Sequence, residues 1–292
     1  MDEKILLAHG SGGKLYHRLI KEVFLPAFHN PLLDKLEDQA NFDLPSGRVA
    51  FTTDSYVVDP LFFPGGDIGR LAISGTVNDL SVGGAQPLYL STGFIIEEGL
   101  ALNTLWEIVS SMKRTAEEAG VLIVTGDTKV VEKGHADKIF INTAGVGVIA
   151  KKVSLDTAGV LPGDAVLISG FIGDHGIAVM AAREGIQFSS PLESDAAPLN
   201  SMIDGLLKAS PCVRVMRDPT RGGVATTLNE IAQASRVSMT IFEEALPVRE
   251  EVQNACEIFG FDPLYVANEG KIVVIVPKDE AKAALKALHG HP

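Results

Sequence analysis

Cysteine is scarce in this sequence, since Cys212 and Cys256 are the only two among 292 residues. Without a C-x-x-C pair or a Cys/His cluster, the sequence excludes a disulfide framework and argues against a structural zinc site. Long apolar runs are also lacking: no stretch reaches the roughly 18 consecutive apolar residues of a membrane-spanning helix. The acidic N-terminus has too short an apolar run for a signal peptide. We therefore expect a cytoplasmic protein with no membrane partner.

Positive charge is in deficit, because 25 lysines and arginines stand against 37 aspartates and glutamates, for a net charge of −12. No Lys/Arg-rich stretch occurs, so nucleic acid is not expected as a partner. A polyanionic substrate would be repelled at long range unless a cation accompanied it. Hydrophobic residues make up 46% of the chain and charged residues 21%, which excludes intrinsic disorder of the chain as a whole.

Short apolar runs of strand length alternate with amphipathic stretches of helix length, which predicts a mixed α/β (α+β) fold. At roughly 150 residues per domain, the length suggests two domains. The best boundary lies near residues 150–163, where two lysines end an apolar strand and a Leu-Pro-Gly-Asp turn precedes the next one. We therefore expect one domain over residues 1–152 and a second over residues 153–292.

Several local features are predicted from spacing and composition. Apolar residues at helical spacing predict a helix over residues 104–119, with Asn103 as its N-cap. Residues 238–242 are predicted to form a strand, and residues 191–198 a mobile loop. Cys212 and Cys256 fall in or near predicted helices, so both are expected to be packed.

Glycine pairs recur along the chain, and each one alone is typical of a tight turn. Residues 9–14 (HGSGGK) combine flexible backbone N–H donors with one lysine, which is a weak indication of an anion-binding loop. This segment is not a Walker A loop, because Leu15 follows the lysine where Ser or Thr is required. It is not a dinucleotide fingerprint either, since the third glycine is absent.

Four aspartates stand where apolar segments meet loops: Asp54, Asp79, Asp127 and Asp218. Asp54 and Asp127 directly follow predicted buried strands, where a carboxylate needs a partner and where open α/β sheets place ligands. Hard oxygen ligands of this kind hold Mg²⁺ together with substrate phosphates. Aspartate is also a common turn and cap residue. Two interpretations therefore stay open, a metal–phosphate site or a set of turn residues.

Lys129 and Glu269 are candidates of a different kind. Lys129 follows Asp127 by two residues, so in an extended segment both side chains share a face, as a simple ion pair or as part of the site. Glu269 precedes a glycine and an apolar strand, which suits either a turn residue or a catalytic base. The residue pattern does not choose between these roles.

Six motifs together resemble the HypE family of hydrogenase maturation factors. They are residues 9–14 (HGSGGK), 52–60 (TTDSYVVDP), 78–87 (NDLSVGGAQP), 125–131 (TGDTKVV), 217–230 (RDPTRGGVATTLNE) and 265–271 (YVANEGK). The family belongs to the superfamily of aminoimidazole-ribonucleotide synthetase, selenophosphate synthetase and thiamine-monophosphate kinase. The resemblance implies a two-domain PurM-like ATP-binding fold. In that fold the N-terminal sheet dimerises in a barrel-like interface, with ATP bound nearby.

The activity that this resemblance implies is an ATP-dependent dehydration. A thiocarboxamide on the protein's own C-terminal cysteine becomes a thiocyanate, and the cyanide becomes an iron ligand of NiFe hydrogenase. The implied cofactors are ATP and Mg²⁺. The implied partners are a second copy of the chain in a homodimer, a HypF-like carbamoyltransferase that supplies the carbamoyl group, and a HypC–HypD-like complex that receives the cyanide.

The resemblance also implies roles for individual residues. Metal and phosphate positions fall on Asp54, Asp79, Asp127 and Asp218. Lys14 belongs, with Gly12 and Gly13, to a flexible phosphate loop, and Asn78 and Arg221 are further neighbours of the nucleotide. Lys129 and Glu269 match the positions beside the carboxamide, where a base takes the N–H proton as phosphate leaves.

Two features depart from the patterns of the superfamily. Gly13 stands where selenophosphate synthetases carry cysteine or selenocysteine, which argues against selenium chemistry. HypE proteins end in Pro-Arg-Ile-Cys, whereas this sequence ends in His289-Gly290-His291-Pro292. We therefore expect either a truncated chain or a lost self-modification. The alternatives are a non-catalytic ATP-binding maturation scaffold and a related small-molecule kinase or selenophosphate synthetase-like enzyme.

Overall fold

The computed structural model describes residues 4–11, 13–37, 39–186, 188 and 190–291. Its strands are β1 (Arg48–Tyr56), β2 (Phe62–Phe63), β3 (Gly66–Asp67), β4 (Ala85–Glu97), β5 (Leu122–Val131), β6 (Ile139–Ile149), β7 (Ala165–Ile168), β8 (Val215–Arg217) and β9 (Val273–Val276). Its α-helices are α1 (Lys14–Leu19), α2 (Leu25–Phe28), α3 (Ile68–Val82), α4 (Leu102–Ala119), α5 (Asp174–Glu184), α6 (Asn200–Ala209), α7 (Gly223–Ser235), α8 (Glu250–Phe259) and α9 (Ala281–His289). None of the helices in the described ranges is long and apolar enough to cross a membrane.

The N-terminal half is built on a four-stranded sheet in the order β1-β6-β4-β5. β6 pairs antiparallel with β1 and β4, whereas β4 and β5 are parallel and are joined by the crossover helix α4. α3 and α4 cover one face and form the main apolar core with it. The opposite face is open, and on β1 it exposes Val49 (59%) and Phe51 (69%).

The C-terminal half contains a three-stranded antiparallel sheet in the order β7-β9-β8. Its central strand β9 is buried at every residue. α6 and α9 pack on one face through side chains such as Leu206 and Leu288, and α7 packs on the other through Ile231. The mixed α/β fold class is therefore confirmed. Residues 150–164 connect the two sheets without helix or strand, and the division at 152/153 stays a prediction within this connector.

Helix α4 confirms the apolar spacing of residues 104–119 but corrects its N-terminus. The helix begins at Leu102 and its N-cap is Ala101, whose backbone is extended and whose side chain makes no capping bond. Asn103 therefore lies inside the first turn, and its prediction as N-cap is wrong. Gly120 ends the helix with φ +69°, in the left-handed conformation that glycine adopts without strain.

Residues 191–198 contain no helix or strand, as expected, but they are not an exposed loop. Leu192 and Ala196 are buried, Ser194 N–H donates to Pro64 O at 2.8 Å, and the Arg70 guanidinium donates to Ala196 O. This segment contacts both halves, since Leu192 packs in an apolar cluster of the C-terminal half and Ala196 joins the core of the N-terminal half. It therefore forms a packed strap, here called the 191–198 strap, that joins the two halves.

Two further predictions are wrong. Residues 238–242 form no strand, although residues 237–240 alternate between partly buried and exposed as a strand would. Cys256 is buried within α8 as expected, whereas Cys212 is exposed, because it lies in the turn after α6 and not on the packed face of the helix.

Candidate active site

Four carboxylates meet where the two halves of the chain touch. β1 supplies Asp54, α3 supplies Asp79, Asp218 follows β8, and Glu269 precedes β9. Residues two apart on a strand share a face, so Asp54 points with Thr52 toward α3. There the Thr52 hydroxyl donates to Asp79 Oδ2 at 3.0 Å. The structure therefore brings together three of the four predicted metal positions and the predicted base.

Asn78 lies on the buried face of α3, where it is only 1% exposed, and its side chain forms hydrogen bonds across the junction between the halves. Its Nδ2 donates to Ala197 O at 3.0 Å and to Glu269 O at 3.2 Å, and its Oδ1 accepts from Leu199 N–H at 2.8 Å. Both amide protons are used in these protein contacts. Asn78 therefore positions the backbone of Glu269 against the 191–198 strap, and a direct contact with nucleotide stays a prediction.

Burial and like charges make this cluster electrostatically unusual. Burial, followed by the charges of other carboxylates, raises the pKa of Glu269 to about 8. The pKa of Asp218 rises to about 6, again chiefly through burial and then through the charge of Asp79. The carboxylates that act on Glu269 are, in decreasing order, Asp218, Asp195, Asp54 and Asp79. Such mutual repulsion marks a place where a cation would be stabilised.

Asp79 and the neighbouring phenol Tyr56 also have raised pKa values. The pKa of Asp79 is raised by burial and by the charge of Asp54, although the bond from Thr52 opposes the rise. Burial and then Asp54 raise the pKa of Tyr56 well above its ordinary value. Across the described ranges, no three His, Cys, Asp or Glu side chains converge as a complete metal-ligand set. Mg²⁺ does not require one, because it binds through one or two carboxylates together with substrate phosphates and water.

Asp127 and Lys129 lie elsewhere, on the open face of the N-terminal sheet. Lys129 Nζ is 3.2 Å from Asp127 Oδ2, so the predicted shared face is confirmed, and both side chains are well exposed. Across the sheet, Asp54 pairs through Thr143 and Thr92 with Gly126, the neighbour of Asp127. Three strand spacings amount to about 14 Å, and Asp127 points to the opposite face.

The prediction that Asp54 and Asp127 directly follow buried strands is wrong. Asp54 lies inside β1 and Asp127 in the middle of β5, because both strands continue past the apolar residues that suggested their ends. The motif TTDSY alternates in burial along the extension of β1, and in the extension of β5 the buried Thr128 stands between exposed Asp127 and Lys129. Such alternation is typical of a half-buried strand and gives no loop signal.

The glycine-rich N-terminal segment lies beside β5. The 3₁₀ turn Leu7–Gly10 packs so closely that a Cβ on Gly10 would be 2.7 Å from Val130 N. Gly13 is the N-cap of α1, and Lys14 is its first, exposed residue. Gly12 lies outside the described residues. The phosphate-loop candidates thus neighbour the strand that carries Asp127 and Lys129, on the side away from the carboxylate cluster.

A cavity of about 480 Å³ opens next to β5. Its walls come from the N-terminal helices and from strands β4 and β5. They include Tyr16, Ile20, Phe24, Phe28, Leu33, Phe94, Thr125, Gly126 and Asp127. An apolar cavity with a few polar groups at one side is typical of a small-molecule binding site.

Arg221 is exposed in the turn that leads into α7. Gly222 and Gly223 that follow have φ of +76° and +60°. A Cβ on Gly223 would lie 2.4 Å from Leu264 O, so glycine is required for α7 to approach the segment that leads to Glu269. This explains the Gly-Gly pair by packing and does not test a ligand role for Arg221.

Asp195 and Lys271 are members of the site that the sequence did not single out. Asp195 Oδ1 accepts from Glu269 N–H at 3.1 Å, and its Oδ2 lies 3.5 Å from Lys271 Nζ. The Asp195 side chain is only 3% exposed. Lys271 stood in the YVANEGK motif, whereas Asp195 lay in a segment without periodicity. A buried strap therefore supplies a residue that sequence pattern could not find.

Comparison with known proteins identifies the families that this chain resembles. Residues 36–149 match the family described as AIR synthase related protein, N-terminal domain, and residues 162–292 match its C-terminal domain. The carbamoyl dehydratase HypE of Azotobacter vinelandii is 52% identical over 286 residues, which cover 98% of this chain and 84% of the relative.

Two solved structures are also similar. The hydrogenase maturation protein HypE in complex with ATP superposes with a TM-score of 0.95 at 53% identity, covering 97% of this chain and 84% of that one. A HypE–HypF complex contains a chain with a TM-score of 0.82 and 55% identity, covering 94% of this chain and 88% of that one. The PurM-like fold expected for the chain is confirmed by these matches.

Proposed function

The chain belongs to the HypE family of carbamoyl dehydratases, and from that premise we propose that it is the ATP-dependent dehydratase of NiFe hydrogenase maturation. Its substrate is a thiocarboxamide on a C-terminal cysteine, and its product is the thiocyanate that provides cyanide for iron. The observation that carries this proposal is the carboxylate cluster between the halves, in a chain about half identical to HypE relatives over almost its whole length.

ATP supplies the leaving group that the reaction needs. An amide oxygen leaves poorly, so its transfer to phosphate precedes loss of the nitrogen-bound protons. The overall reaction converts the thiocarboxamide and ATP into thiocyanate, ADP and phosphate. The elements of water that the carboxamide loses are taken up in the hydrolysis of ATP. In this reaction Lys14, Gly13 and Arg221 would contact the triphosphate, as would Gly12, which lies outside the described residues. Lys129 would contact the carboxamide.

Asp54, Asp79 and Asp218 fit a magnesium site, because they are oxygen donors whose charges repel one another without a cation. Mg²⁺ would offset the charge of the transferring phosphoryl group. Asp127 is proposed as a further metal or nucleotide ligand. It lies on the open sheet face, so its participation depends on how a second subunit closes that face.

Glu269 is proposed as the base. Its backbone is held by Asn78 and Asp195, which leaves the carboxyl group free to face the neighbouring aspartates. While their charge is uncompensated, Glu269 keeps its proton at neutral pH. Once that charge is offset, its pKa falls, and the carboxylate can accept a proton from the carboxamide nitrogen.

A HypF-like carbamoyltransferase is proposed as the source of the carbamoyl group, because a HypE relative has been solved with HypF. A HypC–HypD-like complex is proposed as the acceptor of the cyanide, and the cytoplasm as the location. The proposed homodimer is supported by the open sheet face, whose exposed Val49 and Phe51 form an apolar surface. The domain division at 152/153 stays part of the same proposal.

The test is a reaction in trans. A peptide ending in Pro-Arg-Ile-Cys, carboxamidated on sulfur, is incubated with the protein and Mg-ATP, and mass spectrometry follows the peptide. We expect the loss of one water molecule with one ADP formed. Glu269→Gln should bind ATP and abolish the water loss, whereas Glu107→Gln, a matched change on an exposed part of α4, should leave it intact. Phosphorylation of a free small molecule without water loss would instead support the kinase alternative.

A further inference from the structure

The end of strand β8 carries a cation that the reaction described above does not use. Arg217 is the last residue of β8 and directly precedes Asp218 of the carboxylate cluster. Along β8, Val215 packs in the apolar cluster on the α7 side and Met216 in the cluster on the side of α6 and α9. Residues two apart on a strand share a face, so the side chain of Arg217 leaves β8 on the α7 side. There its Nη2 donates to Glu230 Oε2 of α7 at 3.1 Å.

The contact with Glu230 leaves much of the Arg217 guanidinium available. Across the described ranges, it is the only hydrogen bond that this side chain makes. The side chains of Arg217 and Glu230 are 38% and 53% exposed, so water screens the ion pair and it adds little stability. A guanidinium is a planar fork of N–H donors that can bind both oxygens of a carboxylate. Arg217 can therefore exchange Glu230 for another carboxylate with little loss of stability.

The charge of Arg217 also reaches the carboxylate cluster. Burial raises the pKa of Asp79, and the positive charge of Arg217 opposes that rise. Burial and then the charge of Asp79 raise the pKa of Asp218 to about 6, and Arg217 again acts in the opposite direction. Arg217 therefore supplies positive charge at one side of a cluster whose own members are acids.

The proposed substrate needs positive charge at this place. A thiocarboxamide on a C-terminal cysteine carries a free α-carboxylate, which only Cα and Cβ separate from the sulfur. When Glu269 reaches the carboxamide nitrogen, this α-carboxylate comes close to Asp218 and the other acids of the cluster. Like charges brought together and partly removed from water weaken binding unless a cation pairs with the incoming group. Arg217 stands beside Asp218 with the donors that such a pairing requires.

We propose that Arg217 binds the free α-carboxylate of the substrate's C-terminal cysteine and so makes the site specific for a chain terminus. In the ligand-free protein Glu230 occupies the guanidinium, and the α-carboxylate of the substrate takes its place. This inference rests on the proposed function, because the α-carboxylate belongs to the proposed substrate. An internal S-carboxamidated cysteine, or a terminal one whose carboxyl group is amidated, lacks the charge that Arg217 recognises.

The test measures peptide binding without ATP, so its outcome does not depend on dehydration. A fluorescent peptide that ends in Pro-Arg-Ile-Cys and is carboxamidated on sulfur is titrated with the protein, and its anisotropy is compared with that of the same peptide bearing a C-terminal amide. We expect the wild type to bind the acid peptide about tenfold more tightly than the amide peptide. Arg217→Gln should remove this preference and leave the affinity for the amide peptide within about twofold of wild type. Arg217→Lys keeps the charge without the planar fork and should restore only part of the preference.

Two further variants separate the role of Arg217 from a general effect of charge. Glu230→Gln removes the competing carboxylate, so the acid peptide should bind about two- to fivefold more tightly, with the amide peptide unchanged. Arg236→Gln removes an exposed arginine at the other end of α7 and should leave both affinities within about twofold. In the reaction in trans, Arg217→Gln should raise KM for the acid peptide about tenfold and leave KM for ATP unchanged.

The possible outcomes distinguish this inference from the proposed function. Equal binding of the two peptides to the wild type, or a preference that survives Arg217→Gln, overturns the inference. A raised KM for ATP with the peptide preference intact would identify phosphate as the group that Arg217 binds and overturn it as well. If neither peptide binds to the wild type, the inference fails together with the proposed substrate. A preference that depends on Arg217, without water loss in the presence of Mg-ATP, would support the inference and refute the proposed dehydration.

Discussion

Replacing Glu269 by glutamine should stabilise the ligand-free protein, and the gain should grow with pH. In the folded protein the pKa of Glu269 is about 8, against an ordinary value of 4.5. Between these values the unfolded chain has lost the proton while the folded chain keeps it, so the folded state binds more protons. Stability of the wild type therefore falls as pH rises through this interval. Glutamine mimics the protonated acid at every pH and does not share the loss.

The size of the effect follows from the same two values. The gap between 4.5 and about 8 corresponds to about 4.8 kcal/mol at full shift. Glu269 is only partly buried as a residue, so solvent screens some of this repulsion, and we expect about 2–3 kcal/mol. The difference between variant and wild type should be near zero below pH 4.5 and should reach its plateau above pH 8.

Urea unfolding followed by circular dichroism, at a series of pH values from 4.5 to 9, measures this difference. Because all other titrating groups are shared, most of their pH dependence cancels between the two proteins. Glu107→Gln on α4 serves as the control and should give a pH-independent difference. A Glu269→Gln difference that stays flat with pH, or a wild type more stable than the variant at pH 8, would refute the rise in the pKa of Glu269 that burial and the neighbouring charges cause.

Three other perturbations test the packing around the site. Asn78→Ala removes three hydrogen bonds and leaves buried partners unpaired, so calorimetry should show that the free energy of unfolding falls by about 2–4 kcal/mol. An unchanged melting temperature would contradict a stabilising role for these bonds. Gly223→Ala places a Cβ within 2.4 Å of Leu264 O, so it should lower the free energy of unfolding by more than about 2 kcal/mol. Gly185→Ala, with φ +67° and open space around it, should lower the free energy of unfolding by only about 1 kcal/mol. Equal losses would contradict the steric argument. Phe51→Glu on the open sheet face should convert a dimer to monomers in sedimentation without lowering the melting temperature of the monomer, and an unchanged sedimentation coefficient would rule that face out.

The sequence predicted elements whose signal is local and missed contacts that depend on the partner half. The helix over residues 104–119 was found because one apolar stripe and a terminal glycine are enough to define it. The start at Leu102 was missed because Ala101 caps by backbone conformation alone. Residues 238–242 have strand composition, but they pair with no strand among the described residues, so composition alone led to the wrong assignment.

Within the site, motif resemblance selected residues, but distance in sequence hid their arrangement. Asp54, Asp79, Asp218 and Glu269 converge because α3 and the strands of both sheets meet at one junction, which no single motif encodes. Asp127 was grouped with them by residue type, yet strand alternation turns it to the opposite face. Asp195 was overlooked because a buried strap has no periodic signature.

The hydrogen bonds that join Asn78, Asp195 and Glu269 lie between the two halves, so they affect how firmly the halves are held together. Any ligand that offsets the repulsion among these carboxylates also strengthens the adhesion between the halves, since both contribute to the same cluster. If nucleotide and its cation bind at this cluster as proposed, nucleotide occupancy and interdomain rigidity form a single linked equilibrium. Protease cleavage within residues 150–164, which join the sheets, would slow as the ligand is titrated, so this connector could report binding at a distance from the site.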